Sequence, residues 1–214
     1  MAVVFLGLFL FIGLPAVGKL LGYVSDLKRN NSVADKYDKT PPAPPFFDYF
    51  PEAVSKTGFE IKGKSEEGAT IIINFNDATQ EVLTETSGEF SYNVSLIKGS
   101  NTFFATAKDA SGNESVKSKI VTVVFDNEPP KLDISTPGDG ASYFGSKQKD
   151  LNITGSTEVG VTLYVNERYI EVNPEEGTFS YVYSLDVGEN SLNFKSTDKA
   201  GNQTEKTYRV SFTN

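Results

Sequence analysis

One segment of this chain is written twice. Residues 88–113 recur as residues 177–202 without a gap, at a constant offset of 89 that carries Phe90 onto Phe179 and Asn113 onto Asn202. Gly88, Tyr92, Leu96, Gly99, Asn101, Asp109 and Gly112 find identical partners in Gly177, Tyr181, Leu185, Gly188, Asn190, Asp198 and Gly201. An offset held over a whole segment marks a duplicated structural unit, and the architecture must be built by repetition. In the second copy Phe179, Tyr181, Tyr183 and Leu185 alternate with Ser180, Val182 and Ser184. That period of two sets the large side chains on one face of a strand. A glycine-containing turn follows, and Leu192, Phe194 and Ser196 point inward from the returning strand. Phe90, Tyr92, Val94 and Leu96, answered by Phe103, Ala105 and Ala107, repeat the scheme in the first copy. Each return strand ends in an Asp-x-x-Gly-Asn corner, at 109–113 and 198–202. An aspartate accepts backbone N–H groups within such a turn, and Gly-Asn tolerates left-handed angles.

The flanking sequence supplies the remaining strands. Residues 57–63 and 150–155 alternate in the same way, and each leads through a glycine corner to an apolar strand, Ile71 to Phe75 or Leu163 to Val165. Short strands are expected at 81–84 and 169–172, closing strands around Val123 and Val210, and opening strands near 46–49 and 131–135. About seven strands per unit at this spacing describe a β-sandwich. Asp126-Asn127-Glu128-Pro129-Pro130 separates the units, its prolines stopping the strand before it.

Residues 2–18 carry no charge, and with Lys19 snorkelling the apolar run continues to Val24, about the length that spans a bilayer. No polar face argues for a buried core helix. The uncharged front and the weak site at Ala16-Val17-Gly18 count against a cleaved signal peptide, and a pilin is disfavoured by the missing glutamate near the start. A membrane anchor over residues 1–24 is the expectation, followed by a polar, proline-rich stalk over 25–43. Lys19, Lys28 and Arg29 all follow the run, so the positive-inside rule taken literally puts the body in the cytoplasm. Export is preferred on the domain type given below.

Composition removes several kinds of chemistry. Cysteine, histidine and tryptophan are absent, which excludes disulfides, thiolate or imidazole metal sites and a Ser-His-Asp triad in this chain. A net charge of −8 disfavours nucleic acid as a partner, since phosphate binding needs a basic face. The 28 acidic residues show no spacing that singles out a catalytic pair, so no enzyme activity is expected.

Gly-x-Phe-Ser-Tyr at 88–92 and 177–181, then Leu-x-x-Gly-x-Asn, then Asp-x-(Ala/Ser)-Gly-Asn, resembles bacterial Ig-like repeats, closest to the type related to the B domain of glucodextranase. The resemblance covers residues 44 to 212, with every motif in both copies. Antibody-type domains lack support because their Cys–Trp–Cys signature is absent, and fibronectin type III is weakened by the missing tryptophan. The resemblance implies a surface-exposed, seven-stranded accessory or spacer module without catalysis, and with the apolar N-terminus the expectation is an all-β chain: two tandem seven-stranded Ig-like sandwiches, 44–127 and 128–214, after an N-terminal transmembrane helix. The expected protein is membrane-anchored with extracytoplasmic domains, a non-catalytic spacer, adhesion or interaction module whose partners are the membrane and surface proteins or glycans. A carbohydrate-binding accessory module is the alternative, because Tyr164 is out of phase with Leu163 and Val165 and because Phe46, Phe47, Tyr49 and Phe50 exceed the needs of one strand.

No cofactor is expected other than calcium. In a sandwich of this topology the corners Thr157-Glu158 and 198–202 approach the linker, bringing Asp126, Asn127, Glu128, Glu158, Asp198 and Asn202 together. Carboxylate and amide oxygens from three segments are what a hard cation selects.

Overall fold

The opening strand of each unit is divided between two sheets. In the computed structural model, which describes residues 39–214, the first unit runs β1 (Phe46–Phe47), β2 (Ala53–Val54), β3 (Gly58–Lys64), β4 (Thr70–Phe75), β5 (Ala78–Leu83), β6 (Glu89–Ser95), β7 (Gly99–Lys108) and β8 (Val121–Phe125). The second repeats it: β9 (Leu132–Thr136), β10 (Ser142–Phe144), β11 (Asp150–Thr157), β12 (Thr162–Val165), β13 (Arg168–Ile170), β14 (Thr178–Ser184), β15 (Gly188–Thr197) and β16 (Gln203–Thr213). β1 lies antiparallel to β3 in the sheet β1-β3-β6, whereas β2 lies parallel to β8 in the sheet β2-β8-β7-β4-β5. The sheets β9-β11-β14 and β10-β16-β15-β12-β13 reproduce this, with β10 parallel to β16. Pro51 and Pro137 fall in the two crossovers, where a residue without N–H cannot continue a ladder.

The short fourth strand of each unit extends the five-stranded sheet through a two-residue hairpin. Asn76-Asp77 and Asn166-Glu167 form the turns with φ of 44°, 68°, 46° and 66°. Both central residues of such a turn need positive φ, which asparagine accepts more readily than most residues. Each asparagine also clamps the neighbouring strand. Asn76 Oδ1 accepts the Thr102 N–H at 2.8 Å, and Asn166 Oδ1 accepts the Asn193 N–H at 2.8 Å. The hairpins start these strands at Ala78 and Arg168, three residues and one residue before the expected 81–84 and 169–172.

Two cores fill the sandwiches. Phe103, Ile61, Ile71, Ile73 and Val123 are fully buried in the first, and Phe194, Phe212, Leu163, Leu185 and Ile153 in the second. Without tryptophan, the first core rests on stacked phenylalanines: Phe75 lies 5.1 Å and Phe50 5.8 Å from Phe103. Gly63 and Gly155 sit where a Cβ would come within 2.6 Å of the Phe90 and Phe179 rings, so both copies need glycine there.

The copies differ in the last strand. Two more residues separate Asn113 from Val121 than separate Asn202 from Tyr208, and the surplus is absorbed before β8. Ser115 and Ser118 replace the missing ladder: each N–H donates to β7, at Ala107 O and Ala105 O, and each Oγ accepts the N–H of that same residue at 2.9 Å. The packed body also reaches back into the proline run, where Pro42 is buried and the Ala43 N–H donates to Glu66 Oε1. The expected anchor over residues 1–24 lies outside the described residues. Among the described residues no helix is long and apolar enough to cross a membrane.

Candidate functional site

The polar residues repeated between the copies are engaged by the backbone. Asn101, fully buried, accepts the Ile97 N–H through Oδ1 and donates from Nδ2 to the carbonyls of Ile97 and Gly99. Asn190 does the same for Asp186 and Gly188. The aspartate corners are equally alike: Asp109 Oδ1 accepts the Asn113 N–H at 2.8 Å and Oδ2 its side-chain amide, and Asp198 repeats both bonds to Asn202 at 2.9 Å. The Asn113 side-chain bond, aided by backbone N–H groups, holds the Asp109 carboxyl below the usual aspartate range.

Where the sandwiches meet, these corners gain a second task. Asn202 Nδ2, already bonded to Asp198, also donates to the linker carbonyl of Asp126 at 2.8 Å. Glu158 Oε1 accepts the Lys131 N–H, the Thr157 hydroxyl donates to Lys131 O, and the Thr204 hydroxyl donates to Pro130 O. Across the junction Lys199 bonds Glu52 at 2.7 Å, and the ammonium holds the exposed Glu52 carboxyl below its ordinary value. Lys98 pairs with Glu128 and lowers that carboxyl too. Asp126, Glu158 and Asp198 border one cleft of about 290 Å³ together with Glu52 and Lys199.

Of the residues expected to hold calcium, Asp126, Glu158, Asp198 and Asn202 are thus neighbours, while Glu128 pairs with Lys98, and Asp126, Glu158 and Asp198 each have at least one oxygen that accepts a protein N–H. Asp126 Oδ1 accepts the Glu128 N–H, Glu158 takes Lys131, Asp198 takes Asn202, Glu128 takes Lys98, and Lys199 brings an ammonium to the same cleft. Among the described residues no group of three or more acidic side chains is placed to hold a metal ion. The carboxylates that leave their ordinary range, Glu52, Asp109 and Glu128, all shift downward, opposite to what a general acid requires.

The aromatic candidates divide. Phe47 is buried and Phe50 packs against the first core, while Phe46 and Tyr49 are exposed. Tyr164 and Tyr169 face each other across β12 and β13 on the outer surface, a pair that the lone phase of Tyr164 half reveals.

Residues 50–123, within the first of two packed five-plus-three-stranded sandwiches, match the family model described as a bacterial Ig domain. Among curated proteins, bacillopeptidase F of Bacillus subtilis (strain 168) is 29% identical over 153 residues, which covers 71% of this chain and 10% of that protein. The chain therefore spans about a tenth of the length of that relative. Among solved structures, the fibronectin(III)-like modules of Clostridium thermocellum CbhA align with a TM-score of 0.50 at 14% identity, over 81% of this chain and 91% of theirs. That likeness is one of fold, reached here without the tryptophan. A Ca2+-stabilized adhesin with which an Antarctic bacterium binds ice aligns with a TM-score of 0.40 at 16% identity, over 82% of this chain and 50% of the adhesin.

Proposed function

We propose that this chain is a non-catalytic spacer and interaction module: two tandem bacterial Ig-like sandwiches, of the type related to the B domain of glucodextranase, carried outside the cell on an anchor formed by residues 1–24. The observation that carries this reading is the fate of the repeated polar residues. Asn101, Asn190, Asp109 and Asp198 are the side chains an active-site search would pick, and in both copies they are spent on turn backbone. A repeat whose polar signature builds its own corners supplies shape and leaves no poised acid, base or nucleophile. The bonds of Asn202 to Asp126 and Lys199 to Glu52 hold the second sandwich against the first, as suits an extended spacer. The match to a tenth of bacillopeptidase F supports a module that recurs inside a larger protein. The apolar run of residues 2–18 supports the anchor, and the domain class supports the exterior.

Protease shaving of intact cells tests the placement, and the soluble body tests the absence of catalysis. Release of residues 44–214 from unbroken cells is the expected result, with no turnover of peptide or glycan substrates. Protection until lysis overturns the exterior placement, and hydrolysis lost with a single carboxylate overturns the spacer reading.

A further inference from the structure

The outer face of the larger sheet in the second sandwich carries a row of four directly opposed side chains, Tyr169, Tyr164, Lys195 and Glu205, one from each of β13, β12, β15 and β16. The two tyrosine rings meet nearly edge to face, with centroids 6.1 Å apart and an interplanar angle of 71°, and remain 60% and 37% exposed. Lys195 is paired with Glu205 at 3.2 Å. In the next row the Thr207 hydroxyl donates to Asn193 Oδ1, which leaves the Asn193 amide N–H groups to solvent. Tyr164, Asn166, Asn193, Lys195 and Glu205 border a shallow groove of about 520 Å³.

Nothing in the fold demands aromatic rings at these positions, and the duplication shows it. In the first sandwich the constant offset of 89 sets Thr106 at the place of Lys195, and the residues paired with it across the same strands are Ile72 and Glu81. The Thr106 hydroxyl donates to Glu114 Oε1 at 2.8 Å. The same backbone thus carries one aliphatic side chain, a carboxylate and a hydrogen-bonded threonine in one copy, and two exposed tyrosines in the other.

We propose that the groove beside Tyr164 and Tyr169 binds a neutral polysaccharide. A pyranose ring has a face of C–H groups that lies on a tyrosine π-face, and hydroxyls around its rim that pair with amides and phenols. Tyr164 offers a ring at the wall of the groove with the Asn193 amide as a donor on the same wall, and Tyr169, edge to face with Tyr164, continues the aromatic surface past the rim. Lys195 is compensated by Glu205, so the row holds no spare positive charge for an anionic polymer. Two rings expose far less apolar area than a stable protein interface needs. The site deepens the non-catalytic reading above and rests on it, because the carboxylate in the row is held by a lysine.

The test is retention of the full chain on crystalline cellulose, chitin and granular starch, with immobilised polygalacturonate as the anionic comparison and reducing-sugar release measured alongside. Saturable retention on at least one neutral polymer is expected, weakened about tenfold or more in Tyr164→Asn/Tyr169→Thr. Where thermal melting shows that variant unfolded, Tyr169→Thr alone at the exposed edge strand takes its place and must also weaken retention. Retention on none of the three neutral polymers, equal retention by the folded variant, or retention on polygalacturonate alone overturns the site. Retention accompanied by reducing-sugar release leaves the site standing and overturns the non-catalytic reading instead.

Discussion

Asn101 and Asn190 show how much one buried amide can organise. Each sits two residues into the return strand and closes the turn before it from both sides, accepting one N–H and donating to two carbonyls. A side chain with an acceptor and donors on one plane is needed, because the turn presents groups of both kinds. Asn190→Ala leaves the Asp186 N–H and two carbonyls without their partner and is expected to cost about 1–3 kcal/mol in denaturant unfolding. Asn101→Ala should reach the upper end of that range, since Asn76 Nδ2 also loses its acceptor. Asn190→Asp should fail to rescue, because a carboxylate would face the Asp186 and Gly188 carbonyls where an N–H2 group now donates. A loss under about 0.5 kcal/mol in Asn190→Ala would mean that water replaces the amide.

At the scale of the element, alternation predicts which face of a strand is buried better than how deeply each residue sits. Phe90 and Phe179 are buried as their stripes require, whereas Tyr181, on the same stripe, is half-buried with the Arg168 guanidinium 5.9 Å from its ring. β14 is an edge strand of a three-stranded sheet, and Tyr181 and Tyr183 in its middle are only partly covered, while Phe179 and Leu185 at the two ends of the stripe stay buried. Phe103→Ala, at the centre of the phenylalanine stack, should therefore destabilise the first sandwich by about 3–5 kcal/mol. Tyr181→Ala should cost clearly less, as read by thermal or chemical unfolding. Equal losses at the two positions would place Tyr181 in the core. The serine clips before β8 belong to the same scale. Ser115 and Ser118 offer β7 one donor and one acceptor each, which is how a surplus of two residues is accommodated without orphaned N–H groups.

The whole molecule turns on the junction. Glu52 and Lys199 are its most direct tie, and both are exposed, so the tie steers orientation more than it adds stability. The Glu52 carboxyl lies below its ordinary value of 4.5 because Lys199 bonds it. Its contribution is therefore complete above that ordinary value and lost as pH falls through the lowered one. Small-angle scattering should show a broader spread of inter-sandwich angles on acidification through this window, and Lys199→Met should show that spread already at neutral pH. No change in either sample would assign the geometry to the Asn202 and Thr204 bonds alone. Calcium at the junction would have to share oxygens that already accept protein N–H groups, beside the Lys199 ammonium, so chelator and millimolar calcium should leave the melting temperature of the body unchanged. A calcium-dependent rise that disappears in Asp126→Ala would establish a cation there after all.

The repeat, the strand faces and the Asp-x-x-Gly-Asn corners all follow from local pattern, because alternation and turn chemistry act within a few residues. Other features depend on which strand lies next door. Phe46–Phe47 and Ala53–Val54 are too short to carry a period, so only their partners β3 and β8 reveal that the opening strand changes sheets. The hairpins at Asn76 and Asn166 left a local sign in Asn-Asp and Asn-Glu, yet their membership of the larger sheet is set by bonds to Thr102 and Asn193, more than 25 residues away. The approach of Asp126, Glu158 and Asp198 to one another is a matter of topology, whereas the donors their oxygens accept are a matter of hydrogen bonding. Likewise, an out-of-phase Tyr164 marks an outward side chain, and only the register of β12 against β13 sets Tyr169 beside it. Sequence periodicity encodes which way a residue faces along its own strand, and the hydrogen-bonded neighbour, chosen by the packing of the whole sandwich, decides what it faces.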